Sequence, residues 1–186
     1  QNPVPAPFMR NSLIIPITFF TLLSTSTSAE NWPRFRGSGG AGISSSTTIP
    51  TKWSVDDAKW VADLPGTGNS SPVIWNDALY VTAADEESQS RWLICFDKQD
   101  GSERWRAESK FESYKKHKNN SFASSTPTVD EKHVDQLWHS NTQSSLIAYD
   151  HSGNEAWTYE LGPYLHGQGG ATSPIVAGDL VVVAHD

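Results

Sequence analysis

The chain has 186 residues, one Cys, eight Trp and a formal net charge of −7. One Cys excludes an internal disulfide and any Cys-x-x-Cys zinc or haem site, and the negative charge argues against a general nucleic-acid binder. With 19% charged and 11% aromatic residues the chain is too apolar for disorder, so a globular, turn-rich protein of one domain or slightly more is expected.

The first expected element is an export signal. Met9-Arg10 opens a short basic stretch, Leu13 to Leu23 is an apolar run of eleven residues, and a small-residue stretch ends at Thr27-Ser28-Ala29. That order is the three-part pattern of a secretory signal, with cleavage expected after Ala29. The run is too short to span a bilayer, which needs ~20 residues, so no integral membrane segment is expected after cleavage. No Cys follows it, so no lipobox is expected. The expected organisation is an upstream extension at residues 1–8, a signal peptide at 9–29 and a folded domain at 30–186. The expected location is the periplasm or cell envelope.

Beyond the signal, a repeat organises the chain. Ser71-Pro72-Val73, Thr126-Pro127-Thr128 and Ser173-Pro174-Ile175 are three related starts, with Pro72 and Pro127 separated by 55 residues and Pro127 and Pro174 by 47. A second element recurs between them. Leu93-Ile94-Cys95-Phe96-Asp97 parallels Leu146-Ile147-Ala148-Tyr149-Asp150, and each leads into Gly-x-x-x-Trp, Gly101 to Trp105 and Gly153 to Trp157. Trp60 reads as an earlier copy of the terminal Trp, on a lone outer strand expected at residues 57–64.

Alternation and turn signals predict four strands per unit. In the first unit they fall near residues 71–75, 79–83, 92–97 and 104–108. In the second they fall near 125–129, 134–138, 146–150 and 156–160. A third unit shows strands near 173–176 and 180–184. Asn76-Asp77, Asp100-Gly101, Ser152-Gly153 and Gly178-Asp179 carry turn chemistry between them. A period of ~45–50 residues with four strands reads as a β-propeller blade. A lone four-stranded meander can cover neither of its faces, whereas blade against blade covers both. Trp60, Trp105 and Trp157 are assigned to that inter-blade layer, where each ring can bury ~150–250 Å². The expected fold is all-β, an incomplete β-propeller of about two and a half antiparallel blades. Asp135 interrupts the apolar alternation of residues 134–138 and has no explanation in the sequence.

The repeat, with its Ser-Pro starts and its Asp, turn and Gly-x-x-x-Trp core, resembles the quinoprotein-like (PQQ-like) β-propeller repeats. Trp32-Pro33-Arg34-Phe35-Arg36-Gly37, the Gly-rich stretch after it, Lys118 to Ser124 and His166-Gly167 resemble a secreted bacterial branch of that family. The resemblance covers about residues 31–186 and implies seven- or eight-bladed rings. It therefore also implies that this chain is an N-terminal fragment, with the C-terminal blades of the same protein as partners.

The catalytic members of that family imply PQQ over the ring axis, a calcium with acidic and amide ligands, and often a disulfide between adjacent Cys. Cys95 alone cannot form that pair, and no calcium-ligand spacing stands out. Cys95 is expected to be a small buried residue. His117, His133, His139, His151, His166 and His185 show no metal-ligand spacing and are expected on the surface or in loops. No catalytic residue and no metal site are assigned, and no cofactor is supported outside the dehydrogenase alternative.

The better candidate is a constellation of loops. In a propeller the connections from an outermost strand to the next innermost strand emerge on one face, near the axis. Residues 66–70, 111–124 and 162–172 are such connections. They bring His117, Asn119, Asn120, Tyr164, His166 and Gln168 to a common mouth, where loops rather than scaffold carry binding. The expected function is a non-catalytic exported scaffold that binds a protein or small ligand at that face, with no nucleic acid. The alternatives are a fragment of a PQQ-dependent alcohol or sugar dehydrogenase and a carbohydrate-binding propeller.

Overall fold

The computed structural model describes residues 30–185; the expected upstream extension and signal peptide lie outside the described residues. The first blade is a sheet of β1 (Val73–Trp75), β2 (Ala78–Asp85), β3 (Ser90–Asp97) and β4 (Glu103–Lys110), paired in that order. The second is β5 (Thr128–Val129), β6 (Val134–Trp138), β7 (Ser144–Tyr149) and β8 (Glu155–Gly162), again in order. A third, two-stranded sheet holds β9 (Ile175–Ala177) and β10 (Leu180–Val182). All pairs are antiparallel. Among the described residues the sole helical element is a 3-10 turn at Val55–Asp57.

The two blades share an irregularity beside the repeated Asp. The register shifts between Cys95 and Phe96 in the first and at the matching Ala148 and Tyr149 in the second. Each shift precedes a turn held by the repeated Asp. Asp97 Oδ1 accepts from the Gln99 N–H at 2.7 Å, and Asp150 Oδ1 accepts from the Ser152 and Asn154 N–H groups at 2.9 Å each. The turn closes on Gly101 (φ +73°) or Gly153 (φ +87°), in the left-handed region where only glycine is unstrained.

These same glycines receive the indoles. A Cβ on Gly101 would lie 2.5 Å from the Trp60 ring, and one on Gly153 would lie 2.7 Å from the Trp105 ring. Each indole N–H then donates to a carbonyl of the same turn, Trp60 to Lys98 O at 3.1 Å and Trp105 to His151 O at 3.0 Å. Trp60 faces Phe96 and Trp105 faces Tyr149, each at 6.3 Å between ring centroids. Thus the Trp of one unit rests on the Gly of the next, and the spacing of both in the repeat follows. Trp157 is half-buried and packs edge-on against His133 at 6.4 Å.

The repeated Ser/Thr-Pro starts lie just before the inner strands rather than inside them. Pro has no N–H for the ladder, so β1, β5 and β9 begin one residue after it. The preceding hydroxyls link the units. The Ser71 N–H donates to Thr126 Oγ1 at 2.9 Å, and the Thr126 N–H donates to Ser173 Oγ at 3.0 Å.

The N-terminal segment lashes the inner strands together. Trp32 pairs with Ile74 through two hydrogen bonds of 2.9 Å, and Pro33 O accepts from the Val129 N–H at 2.8 Å. Gly37 lies against the Trp32 ring, where a Cβ would stand 2.8 Å from it. This explains Trp32-Pro33-Arg34-Phe35-Arg36-Gly37 as a folded motif rather than a loose leader.

Two sequence expectations are corrected. The outer strand expected at residues 57–64 is not a strand: residues 58–64 are irregular after the 3-10 turn, because a strand exists by pairing and among the described residues no neighbour pairs with it. Trp60 nevertheless holds its inter-blade position. His139 lies in a loop, between β6 and β7, as the sequence allowed, and is buried there at 4% exposure. Asp135 does not break an alternation, because β6 is buried at every position and has two covered faces. Cys95 is buried as expected, and burial pushes its thiol up to about 11.

Candidate functional site

The expected connections converge on one face. Asn69 and Ser70, between the 3-10 segment and the first blade, donate their N–H groups to Ala123 O at 3.1 and 3.2 Å. The Asn69 side chain donates to Asn119 O at 2.8 Å. The loops of the first and second blades are joined in turn by the His117 N–H to Gln168 O at 3.0 Å and by Asn120 Nδ2 to the same oxygen at 2.8 Å. Asn120 Oδ1 accepts from the Ser121 N–H at 2.8 Å and also from the Ser124 hydroxyl. One Asn side chain therefore fixes the fold of its own loop and its contact with the next.

Between these loops lies a recess of about 470 Å³ lined by Phe35, Asn69, His117, Asn119, Asn120 and Gln168, with Thr126 and Ser173 of the inter-blade relay also in its wall. His117 Nδ1 accepts from the Asn119 N–H at 3.2 Å; in the neutral ring this places the proton on Nε2, a donor free to meet a ligand. Phe35 is 46% exposed and adds an apolar face. The recess thus offers hydrogen-bond donors and acceptors beside one aromatic ring.

Of the six residues expected at the mouth, the structure brings together His117, Asn119, Asn120 and Gln168. Tyr164 and His166 lie outside the recess lining. Tyr164 turns toward the second blade, its ring 4.6 Å from that of His139 and 5.6 Å from that of His185, and its N–H donates to Ser140 O at 2.7 Å. His166 shapes its own turn, its Nδ1 accepting from the Gln168 N–H at 3.3 Å. Burial holds the His139 imidazole down at about 4, against its hydrogen bond to Thr172, so it is neutral at physiological pH. Phe35 and Asn69 were not signalled by the repeat. Phe35 belongs to the N-terminal motif, whose path across the inner strands depends on tertiary pairing.

No carboxylate and no indole line the recess. A calcium ion needs hard, preferably charged oxygen ligands, and a quinone stacked at the axis needs a flat aromatic floor. These residues fit neither. Among the described residues no group of three or more His, Cys, Asp or Glu is placed to hold a metal ion, and no helix is long and apolar enough to cross a membrane.

A family model described as outer membrane protein assembly factor BamB matches residues 51–186. Among solved structures, BamB from Moraxella catarrhalis is similar at 17% identity and TM-score 0.48, over 68% of this chain and 37% of that one. A europium-containing methanol dehydrogenase is similar at 15% identity and TM-score 0.46, over 63% of this chain and 20% of that one. The chain therefore spans well under half the length of either. No curated protein matches it.

Proposed function

The chain belongs to the PQQ-like repeat family described as outer membrane protein assembly factor BamB, and from that membership we propose that it is a non-catalytic binding scaffold of the periplasm or cell envelope. The reading is that a protein partner or small ligand docks at the loop face, on the recess between Phe35, Asn69, His117, Asn119, Asn120 and Gln168.

One observation carries this reading. Four stretches far apart in sequence build a single recess and use backbone and Asn120 contacts to hold it open. Within it His117 Nε2 and the Asn119 side-chain amide have no hydrogen-bond partner among the described residues. Polar groups held by a rigid scaffold and left uncommitted are the ingredients of a binding site. Export is supported by the three-part pattern at residues 9–29. Further blades in the same protein are proposed as partners of Trp60, which keeps the outer-strand Trp position without a strand around it.

Site-specific photo-crosslinking tests the reading. A photoreactive residue at position 119, in the full-length protein in its native cells, is expected to capture one defined species. The same probe at Tyr159, exposed on β8, is expected not to. Equal labelling from both positions would contradict the reading. So would dye-linked alcohol or sugar oxidation by the full-length protein on addition of PQQ and calcium.

A further inference from the structure

A second concavity lies away from the recess, in the groove between the first and second blades. It has a volume of about 630 Å³, and Arg91, Lys110, Phe111, Glu112, Trp138 and Thr142 are among its lining residues. Its centre is Arg91 on β3, which is 4% exposed. The guanidinium crosses to the second blade, where one terminal nitrogen donates to His139 O at 2.8 Å. Its carbon sits 4.8 Å from the Trp138 ring centroid and 5.7 Å from that of Phe111. Its Nε is buried with no hydrogen-bond partner. Among the described residues no carboxylate forms an ion pair with it.

This is an unusual state for an arginine. A buried charge is costly unless paired, and a buried N–H is costly unless bonded. Burial lowers the Arg91 pKa to about 10, still far above physiological pH, so the cation persists. The two rings and one carbonyl compensate part of the charge and leave donors unused. Lys110, at the rim, is already held by Glu108 at 2.6 Å. Glu112, also at the rim, is exposed and makes no ion pair. The Ser140 and Thr142 hydroxyls, 3.0 Å apart, belong to residues that also line the groove.

The geometry points to Arg91, its guanidinium held against Phe111 and Trp138, as the receptor for a carboxylate group that enters the inter-blade groove and accepts from the guanidinium and from the Ser140–Thr142 hydroxyl pair. The planar guanidinium matches a planar carboxylate through two parallel N–H···O bonds, which a lysine cannot reproduce. The carboxylate comes either from a small free acid or from an Asp or Glu side chain of a peptide. Glu112, in the groove lining, adds a negative charge that opposes a second carboxylate there.

Titration of the ¹⁵N-labelled full-length protein tests this by NMR. The probes are succinate, an amide-capped peptide containing Glu, and sodium sulfate. A saturable shift of the Arg91 Nε–Hε resonance together with the backbone amides of residues 140–143 is expected with succinate or with the peptide. Which of the two binds more tightly identifies the source. Arg91→Lys is expected to weaken binding about tenfold or more, with its melting temperature recorded to show that it folds. Glu112→Gln, an exposed change that leaves the fold intact, is expected to tighten it. Shifts with neither carboxylate, shifts confined to residues outside the groove, or sulfate binding as tightly as both carboxylates would overturn the assignment.

Discussion

The Ser71 N–H donates to the side chain of Thr126, 55 residues further on and in the next blade, at 2.9 Å. Thr126 in turn donates its own N–H to Ser173 Oγ at 3.0 Å. The hydroxyls of Thr126 and Ser173, each just before a repeated proline, are thus inter-blade acceptors, which gives the Ser/Thr-Pro start a role separate from the proline's. Thr126→Val keeps the shape of the side chain and removes the acceptor. It is expected to cost about 1–2 kcal/mol by leaving a partly buried N–H unbonded, read as a lower urea midpoint with an unchanged m-value.

The indole–glycine contact makes a sharper contrast. Gly153 has φ +87° and no room for a Cβ beside Trp105, whereas Gly178 has φ +61° with nothing within 4 Å. Both pay left-handed strain on substitution, but Gly153→Ala also pushes an indole off its seat. Gly178→Ala is expected to cost about 1–2 kcal/mol, and Gly153→Ala roughly 2–4 kcal/mol. Chemical denaturation of the two variants side by side measures the difference.

Two buried groups give the stability opposite slopes with pH. Asp135 is 1% exposed, with one carboxylate oxygen unbonded, and burial followed by repulsion from Asp130 raises its pKa from 3.8 to about 7. The folded state holds this proton when the unfolded state has released it, so between pH ~4 and ~7 this group's contribution falls as pH rises. His139 is lowered from 6.5 to about 4, so its contribution falls as pH drops from ~6.5 toward ~4. Asp135→Asn is expected to remove the first slope alone, raising stability at pH 8 relative to wild type by an amount on the order of a few kcal/mol. Urea midpoints of the two proteins at pH 5 and pH 8 check this.

Asn120 binds the two loops of the recess together. Asn120→Ala breaks its bonds to Gln168 O and Ser121 N–H. It is expected to loosen residues 111–124 while leaving the sheets intact. Limited tryptic digestion should then cut faster after Lys115, Lys116 and Lys118, with little change in the melting temperature. Unchanged cleavage rates would show that the loop holds itself without that side chain.

The strands of the two blades were legible in the sequence because each repeat carries its packing partner with it. The Gly and the Trp recur at fixed spacing, with an Asp three or four residues before the Gly, and each Gly receives the Trp of the unit before. Residues 57–64 misled for the converse reason, since Trp60 marks the packing position but a strand also needs a neighbour to pair with. Asp135 looked anomalous only while β6 was read as having one wet face. The loop face was legible from topology, which places the connections. The direction of each side chain was not, and Tyr164 turns away to meet His139 and His185. Arg91 gave no signal at all: on a strand it reads as a solvated charge, and its burial follows from the second blade folding over it.

The account rests on blades stacked by an indole seated on the next unit's glycine. Nuclear Overhauser spectroscopy measures that contact directly. Cross-peaks are expected from the six-membered ring protons of Trp105 to both Gly153 Hα protons, and from those of Trp60 to Gly101, together with slowed exchange of both indole N–H groups. Absence of these cross-peaks in a folded sample, with indole protons exchanging as fast as in a free peptide, would contradict it.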